Sequence, residues 1–125
     1  MRLVLGIAAM GALGAVSRHL CGQWVKANVD LDFPLATLLI NALGSLLLGL
    51  LAGLASSGLV PEHLRGPLAI GLLGSFTTFS TFSVETLTLV NDGRPWAALL
   101  NVLLQVLIGV AAAGAGLLLG RAGVA

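Results

Sequence analysis

Charged residues are scarce in this chain of 125 residues, because Asp, Glu, Lys and Arg together make up 9% of it. A soluble domain usually carries about 25% charged residues, so the composition excludes an ordinary soluble protein. The net charge of +1 argues against nucleic acid as a partner. Cys21 is the only cysteine, so neither a disulfide framework nor a cysteine metal site can form within one chain.

Long charge-free stretches take the place of the missing charges. A spanning helix needs roughly 18 or more apolar residues, and residues 33–61, 66–84 and 95–120 each meet that length. Residues 3–17 are fewer, but the long side chains of Arg18 and Lys26 can snorkel to an interface and extend the span. The sequence therefore predicts an all-α membrane protein in a single domain, 1–125, with transmembrane helices at about 3–25, 34–56, 63–91 and 95–120.

The first apolar stretch has a second interpretation as a cleaved signal peptide, since Arg2 precedes an apolar run with small residues. The apolar character continues into residues 17–20 without an obvious stop. We therefore favour a retained helix.

Basic residues are divided equally between the two sides of the predicted bundle. Arg2, Arg65 and Arg121 fall on one side, whereas Arg18, Lys26 and Arg94 fall on the other. The positive-inside rule then gives no preferred orientation. Either the predicted topology is wrong, or the chain inserts both ways. In the second case, two oppositely oriented copies form an antiparallel homodimer about a two-fold axis in the membrane plane.

The third predicted helix contains a polar run that membrane spanning does not require. Residues 74–83 begin with glycine and include six hydroxyl side chains and three phenylalanines, and Glu85 follows. Hydroxyls can simply bond the carbonyl one turn earlier, and phenylalanines can simply pack. Their coincidence with Gly71 and Gly74 instead favours a helix broken near residues 74–78. Carbonyl oxygens freed at a break suit a small cation such as Na⁺.

Polar residues at helical spacing also mark the second and fourth helices. Asn41 shares a face with Thr37 and Gly44, and it is either an interhelical hydrogen-bonding group or an N–H donor to an anion. The edge of a phenylalanine ring is the positive part of its quadrupole and attracts an anion weakly. Asn101 and Gln105 form a stripe for which packing is the leading interpretation. Arg18 is an interface anchor or attracts anions to a pore mouth.

These residues together resemble the Fluc family of fluoride channels, also called CrcB, over essentially the whole chain. The resemblance rests on residues 11–15 with Arg18, on Asn41-x-x-Gly44, and on Asn101. Its most specific part is Gly71-x-x-Gly74 leading into residues 77–82 and then Glu85.

The resemblance implies a fluoride-selective channel that exports fluoride passively across the inner membrane, working as a dual-topology homodimer with two pores. It implies a structural Na⁺ at the dimer centre that is not transported, held by the backbone carbonyls of Gly74 and Thr77 from both subunits. The fluoride path would use the side chains of five residues, with Arg18 near a vestibule; the five are Asn41, Phe79, Phe82, Ser80 and Thr81.

The chain departs from the family pattern at two points. Ser75 stands where the family usually has a second glycine, and a tyrosine that some members carry in the fourth helix is missing, since the chain has no tyrosine.

The main alternative function is a small dual-topology exporter of drugs or metabolites, although the first helix lacks the acid that such exporters typically need. An accessory subunit would not explain the polar run. An enzyme is not expected, because no base, nucleophile and orienting group cluster together.

Overall fold

The computed structural model describes residues 1–123, and every regular element in that part of the chain is helical. Within this described part, four helical stretches are long and apolar enough to cross a membrane: Arg2–Asn28, Leu35–Ser56, Glu62–Asn91 and Pro95–Ala122. The chain is therefore a multi-pass helical membrane protein. The elements in chain order are α1 (Arg2–Asn28), α2 (Leu35–Ser56), α3 (Glu62–Gly66), a π-helical stretch (Pro67–Leu73), α4 (Gly74–Phe76), α5 (Phe79–Asn91) and α6 (Pro95–Ala122).

The turns between these helices are short and follow from proline and glycine. Pro34 and Pro61 each precede the first residue of a helix, and Pro95 is the first residue of α6, where a missing N–H costs nothing. Gly58 and Gly93 have φ values of 76° and 73°, which residues with a side chain rarely adopt. Each glycine reverses the chain directly after a long helix.

Helices α2 and α6 pack with their backbones in close approach. A Cβ atom on Gly116 would collide with the carbonyl oxygen of Leu46, and one on Gly49 would collide with that of Ala113. Helix association in lipid depends on such van der Waals contact, because the hydrophobic effect does not distinguish a neighbouring helix from lipid tails. The glycines therefore bring α2 and α6 together as the tightest pair in the bundle.

The third span is anchored against α1. A Cβ atom on Gly14 would collide with the backbone of Leu72, and one on Gly71 would collide, less severely, with the carbonyl oxygen of Ile7. Pro67 begins the π-helical stretch, and its ring nitrogen cannot donate the hydrogen bond that a regular helix needs there. The first half of the third span thus packs against α1, whereas its second half, α5, packs against α6.

Two residues between α4 and α5 have extended backbone. Thr77 has φ −82° and ψ 161°, and Thr78 has φ −151° and ψ 116°. Gly74 itself is helical, with φ −65° and ψ −33°. The hydroxyl oxygen of Thr78 accepts a hydrogen bond from the Thr81 amide at 3.2 Å, which is the N-cap that starts α5. The chain leaves the helix after Phe76 and begins a new helix two residues later.

We expect Gly116→Val to lower the thermal midpoint of unfolding in detergent, because the added side chain forces α6 away from the Leu46 backbone. Gly114→Val on the same helix is the matched control, since a Cβ atom there meets nothing within 4 Å. Equal midpoints for the two variants would contradict the close α2–α6 packing.

Candidate functional site

The centre of the candidate site is a two-way hydrogen bond between one side chain and one peptide unit. The amide nitrogen Nδ2 of Asn41 donates to the carbonyl oxygen of Thr78 at 3.0 Å. The backbone N–H of Thr78 donates in return to Oδ1 of Asn41 at 2.8 Å. A buried backbone group outside a helix must find a partner elsewhere, and Asn41 of α2 supplies both partners for Thr78.

Asn41 also makes a third hydrogen bond. Its Nδ2 donates to Oε1 of Gln105 on α6 at 3.0 Å. An amide nitrogen has two protons, and both are used here. Within the single chain, Asn41 therefore acts as a connector between α2, α6 and the extended residues, and its N–H groups reach an anion only if one of these bonds opens.

A groove of about 290 Å³, here called the phenylalanine groove, lies on one side of this connector. The rings of Phe79 and Phe82 meet edge to face, with centroids 5.5 Å apart and an interplanar angle of 62°. Phe79 is 79% exposed, so most of its ring faces outward from the chain. Polar groups, a glycine and two aliphatic side chains complete the lining, which consists of Asn41, Gly44, Ser45, Leu48, Thr77, Thr78, Phe79, Phe82, Gln105 and Val106.

A second cavity of about 330 Å³, here called the polar pocket, lies between α1, α2 and α5. Its charged lining includes Arg18, Lys26 and Glu85. Thr78 lines both cavities, and Asn41 is bonded to it. The Asn41–Thr78 pair therefore forms part of the wall between the polar pocket and the phenylalanine groove.

The predicted site residues divide between these two cavities. Asn41, Phe79, Phe82 and Thr77 line the phenylalanine groove, whereas Arg18 and Thr81 line the polar pocket. Nη1 of Arg18 donates to the carbonyl oxygen of Thr77 at 3.3 Å.

Two predicted residues lie elsewhere. The exposed Ser80 lines neither cavity, and its hydroxyl oxygen lies 3.4 Å from that of Thr78. Gly74 also lies outside both cavities, and its exposed position places its backbone at the surface of the chain.

The sequence pattern did not reveal the roles of two polar side chains, Thr37 and Gln105. Thr37 donates from its hydroxyl to Oε1 of Glu85 at 2.9 Å, which joins α2 to α5. Gln105 reaches Asn41 across the groove, although its position indicated mainly packing. Thr37 and Asn41 are one helical turn apart, so that spacing was a usable signal. The partners themselves depend on tertiary contacts that spacing does not contain.

Comparison of the sequence with protein-family models identifies the family of this chain. Residues 5–117 match the family described as CrcB-like protein, Camphor Resistance (CrcB). The chain belongs to the CrcB family. The resemblance seen in its motifs is thereby confirmed over almost its whole length.

Several curated CrcB relatives are named fluoride-specific ion channels. The protein named fluoride-specific ion channel FluC 2 from Symbiobacterium thermophilum is 50% identical over 112 residues, covering 89% of this chain and 91% of the relative. The FluC proteins of Syntrophotalea carbinolica and Geobacter metallireducens are 48% and 43% identical. They cover 92% and 97% of this chain, and 94% and 98% of their own lengths.

Asn41→Asp in this CrcB chain tests the connector. The substitution keeps the shape of the side chain but replaces both N–H donors by an oxygen facing the Thr78 and Gln105 oxygens. Each buried polar group left unpaired costs about 1–3 kcal/mol, so we expect a clearly lower unfolding midpoint. Asn28→Asp makes the same chemical change at an exposed helix end and serves as control. The connector role fails if both variants unfold at the wild-type midpoint.

Proposed function

We propose that this chain forms a fluoride-selective ion channel that lets fluoride leave the cell passively across the inner membrane and so lowers cytoplasmic fluoride. The observation that carries the proposal is the phenylalanine groove, in which two aromatic rings lie beside hydroxyl and amide groups. The names of the relatives support fluoride as the ion. They do not favour the alternative, an exporter of drugs or metabolites.

The groove offers a small anion partial compensation for its lost hydration. The ring edges of Phe79 and Phe82 carry positive partial charge in the groove. The hydroxyls of Ser80 and Thr81 lie outside the groove on the same helix, Thr81 in the polar pocket, and would supply donors beyond it. No Lys or Arg is among the groove-lining residues in the described part of the chain. Weak binding of this kind permits exit as well as entry, which conduction requires.

Asn41 enters this pathway through a change of partner. Its bond to Gln105 is the one that joins two side chains, whereas its two bonds to Thr78 hold the backbone. Rotation of the Gln105 side chain frees one Nδ2 proton for fluoride and leaves the Thr78 bonds intact. Asn41 thus supports the extended residues and, when Gln105 moves, donates to the ion.

The polar pocket is suited to the role of vestibule. Its two basic residues, Arg18 and Lys26, outnumber its one carboxylate, Glu85, and lie next to the wall that Asn41 and Thr78 help to form. Electrostatic focusing in a cleft raises the local concentration of a counter-ion. Arg18 also donates to Thr77, so it holds the extended backbone while its charge faces the pocket.

The functional unit we propose is an antiparallel homodimer with two pores. The balanced Lys and Arg distribution removes a preferred orientation. Phe79 is mostly exposed in the single chain, although it lines the groove. A second, oppositely oriented copy that covers Phe79 would close the open side of the groove.

A structural Na⁺ at the dimer centre fits the backbone at the start of the interruption. In a continuous helix the Thr78 N–H would bond the Gly74 carbonyl, but here it donates to Asn41, so the Gly74 oxygen is left without that partner. The Thr77 carbonyl accepts a long bond from Arg18 and has a second lone pair. These oxygens, from both subunits, would hold the cation, which would join the two chains by balancing their converging carbonyl dipoles.

Fluoride efflux from proteoliposomes tests the proposed function. Vesicles loaded with potassium fluoride are triggered with valinomycin and followed with a fluoride electrode, and chloride-loaded vesicles provide the control. We expect rapid fluoride release without chloride release. Absence of fluoride release from folded protein in Na⁺-containing buffer would contradict the proposed channel function and favour proton-coupled export of organic cations.

Phe82→Ile should strongly reduce or abolish fluoride efflux while leaving a folded dimer, because the substitution removes the ring quadrupole and keeps an apolar side chain. Phe33→Ile, outside the groove, is the control and should conduct as the wild type does. Undiminished efflux through the Phe82 variant would remove this ring from the pathway.

Two added Lys residues in the loop at positions 29–34 should bias insertion toward one orientation. Efflux should then fall and should recover when a copy biased the opposite way is co-expressed. The matched control carries two added Gln at the same positions. Full activity from the Lys-biased copy alone would contradict the antiparallel dimer.

A further inference from the structure

The amide groups of Asn101 and Gln105 lie one turn apart on α6, and each contains a buried atom that has no hydrogen-bond partner within residues 1–123. Asn101 is completely buried, and its Oδ1 has no hydrogen-bond partner among the described residues. The same holds for Nε2 of Gln105. Leaving a buried polar group unpaired costs about 1–3 kcal/mol, so a native bundle normally provides it with a partner.

The orientation of the Gln105 amide follows from the Thr78 backbone, because an N–H group can only donate a hydrogen bond and a carbonyl oxygen can only accept one. The N–H and C=O of Thr78 fix Oδ1 and Nδ2 of Asn41. Because Asn41 donates to Gln105 from Nδ2, Gln105 must accept that hydrogen bond through Oε1. The unpaired atom of Gln105 is therefore the donor, Nε2.

The orientation of Asn101 follows from the other end of the same network. The hydroxyl of Thr86 donates to the carbonyl oxygen of Phe82 at 2.8 Å, so its proton is used. Asn101 must then donate from Nδ2 to the Thr86 oxygen, which it does at 2.9 Å. The unpaired atom of Asn101 is therefore the acceptor, Oδ1.

We propose that one ordered water molecule binds between Oδ1 of Asn101 and Nε2 of Gln105. Side chains four apart on a helix have Cβ atoms roughly 5–6 Å apart, which suits a single bridging water. Water donates to the Asn101 oxygen and accepts from the Gln105 nitrogen, so it satisfies both atoms. A fluoride ion cannot take this place, because it has no proton to offer Oδ1.

The bridge completes one continuous hydrogen-bonded chain through the protein. It runs from the Phe82 carbonyl through Thr86 and Asn101 to the water, and then through Gln105 and Asn41 to Thr78. The water positions Gln105, because it holds the nitrogen end of the amide while Asn41 holds the oxygen end. The proposal depends on packing and does not require that the chain conduct fluoride.

Water-edited solid-state NMR in lipid bilayers tests the bridge with protein labelled at glutamine side-chain nitrogen. The chain has two glutamines, and the exposed side chain of Gln23 provides the positive control. We expect magnetisation from water to reach Nε2 of Gln105. Absence of this transfer in the wild type would overturn the proposal.

The Asn101→Leu variant distinguishes transfer from a bridging water from transfer from water in the phenylalanine groove, which Gln105 also lines. Transfer to Gln105 should be lost in this variant if the water needs the Asn101 oxygen, and its persistence would assign the signal to the groove. An experimental density map of the wild type gives the answer without a variant. A water peak within hydrogen-bonding distance of both atoms is expected, whereas a direct Asn101–Gln105 bond would exclude the bridge.

Discussion

The bond pair between Asn41 and the Thr78 peptide is the constraint on which the rest of the site depends. At membrane depth the Thr78 N–H has lost its helical carbonyl partner, and lipid offers no replacement, whereas the Thr77 N–H still donates to the Leu73 carbonyl oxygen at 3.1 Å. Asn41 supplies a donor and an acceptor at once, so Thr78 stays satisfied outside a helix. That interaction orients α5 from its first residue, Phe79, and places its rings beside the groove.

The surrounding packing keeps this bond pair in place. Glycines hold α2 against α6 and α1 against the first half of the third span, so the two sides of the interruption are fixed on different neighbours. Gly44 takes part directly, because a Cβ atom there would collide with the side chain of Thr77. Close backbone contact is thus what allows polar groups to meet in an otherwise apolar bundle.

Much of this arrangement could be predicted from the sequence, because its signals are local. Charge-free runs predict four membrane-spanning helices, and the motif around residues 77–82 indicates the family. The partners of Asn41 could not be predicted. Spacing shows which residues share a helix face, but the choice between Gln105 and an ion depends on how α2 meets α6. Thr78 carried no signal apart from its place in the hydroxyl run, because its role lies in its backbone.

Solid-state NMR distance measurement in lipid bilayers tests the central interaction most directly. With asparagine side-chain ¹⁵N and threonine carbonyl ¹³C labels, we expect a through-space correlation between Asn41 Nδ2 and the Thr78 carbonyl, whose oxygen lies 3.0 Å from that nitrogen. We also expect chemical shifts of extended backbone at Thr77 and Thr78. Helical shifts at these residues with no Asn41–Thr78 correlation would contradict this bond pair.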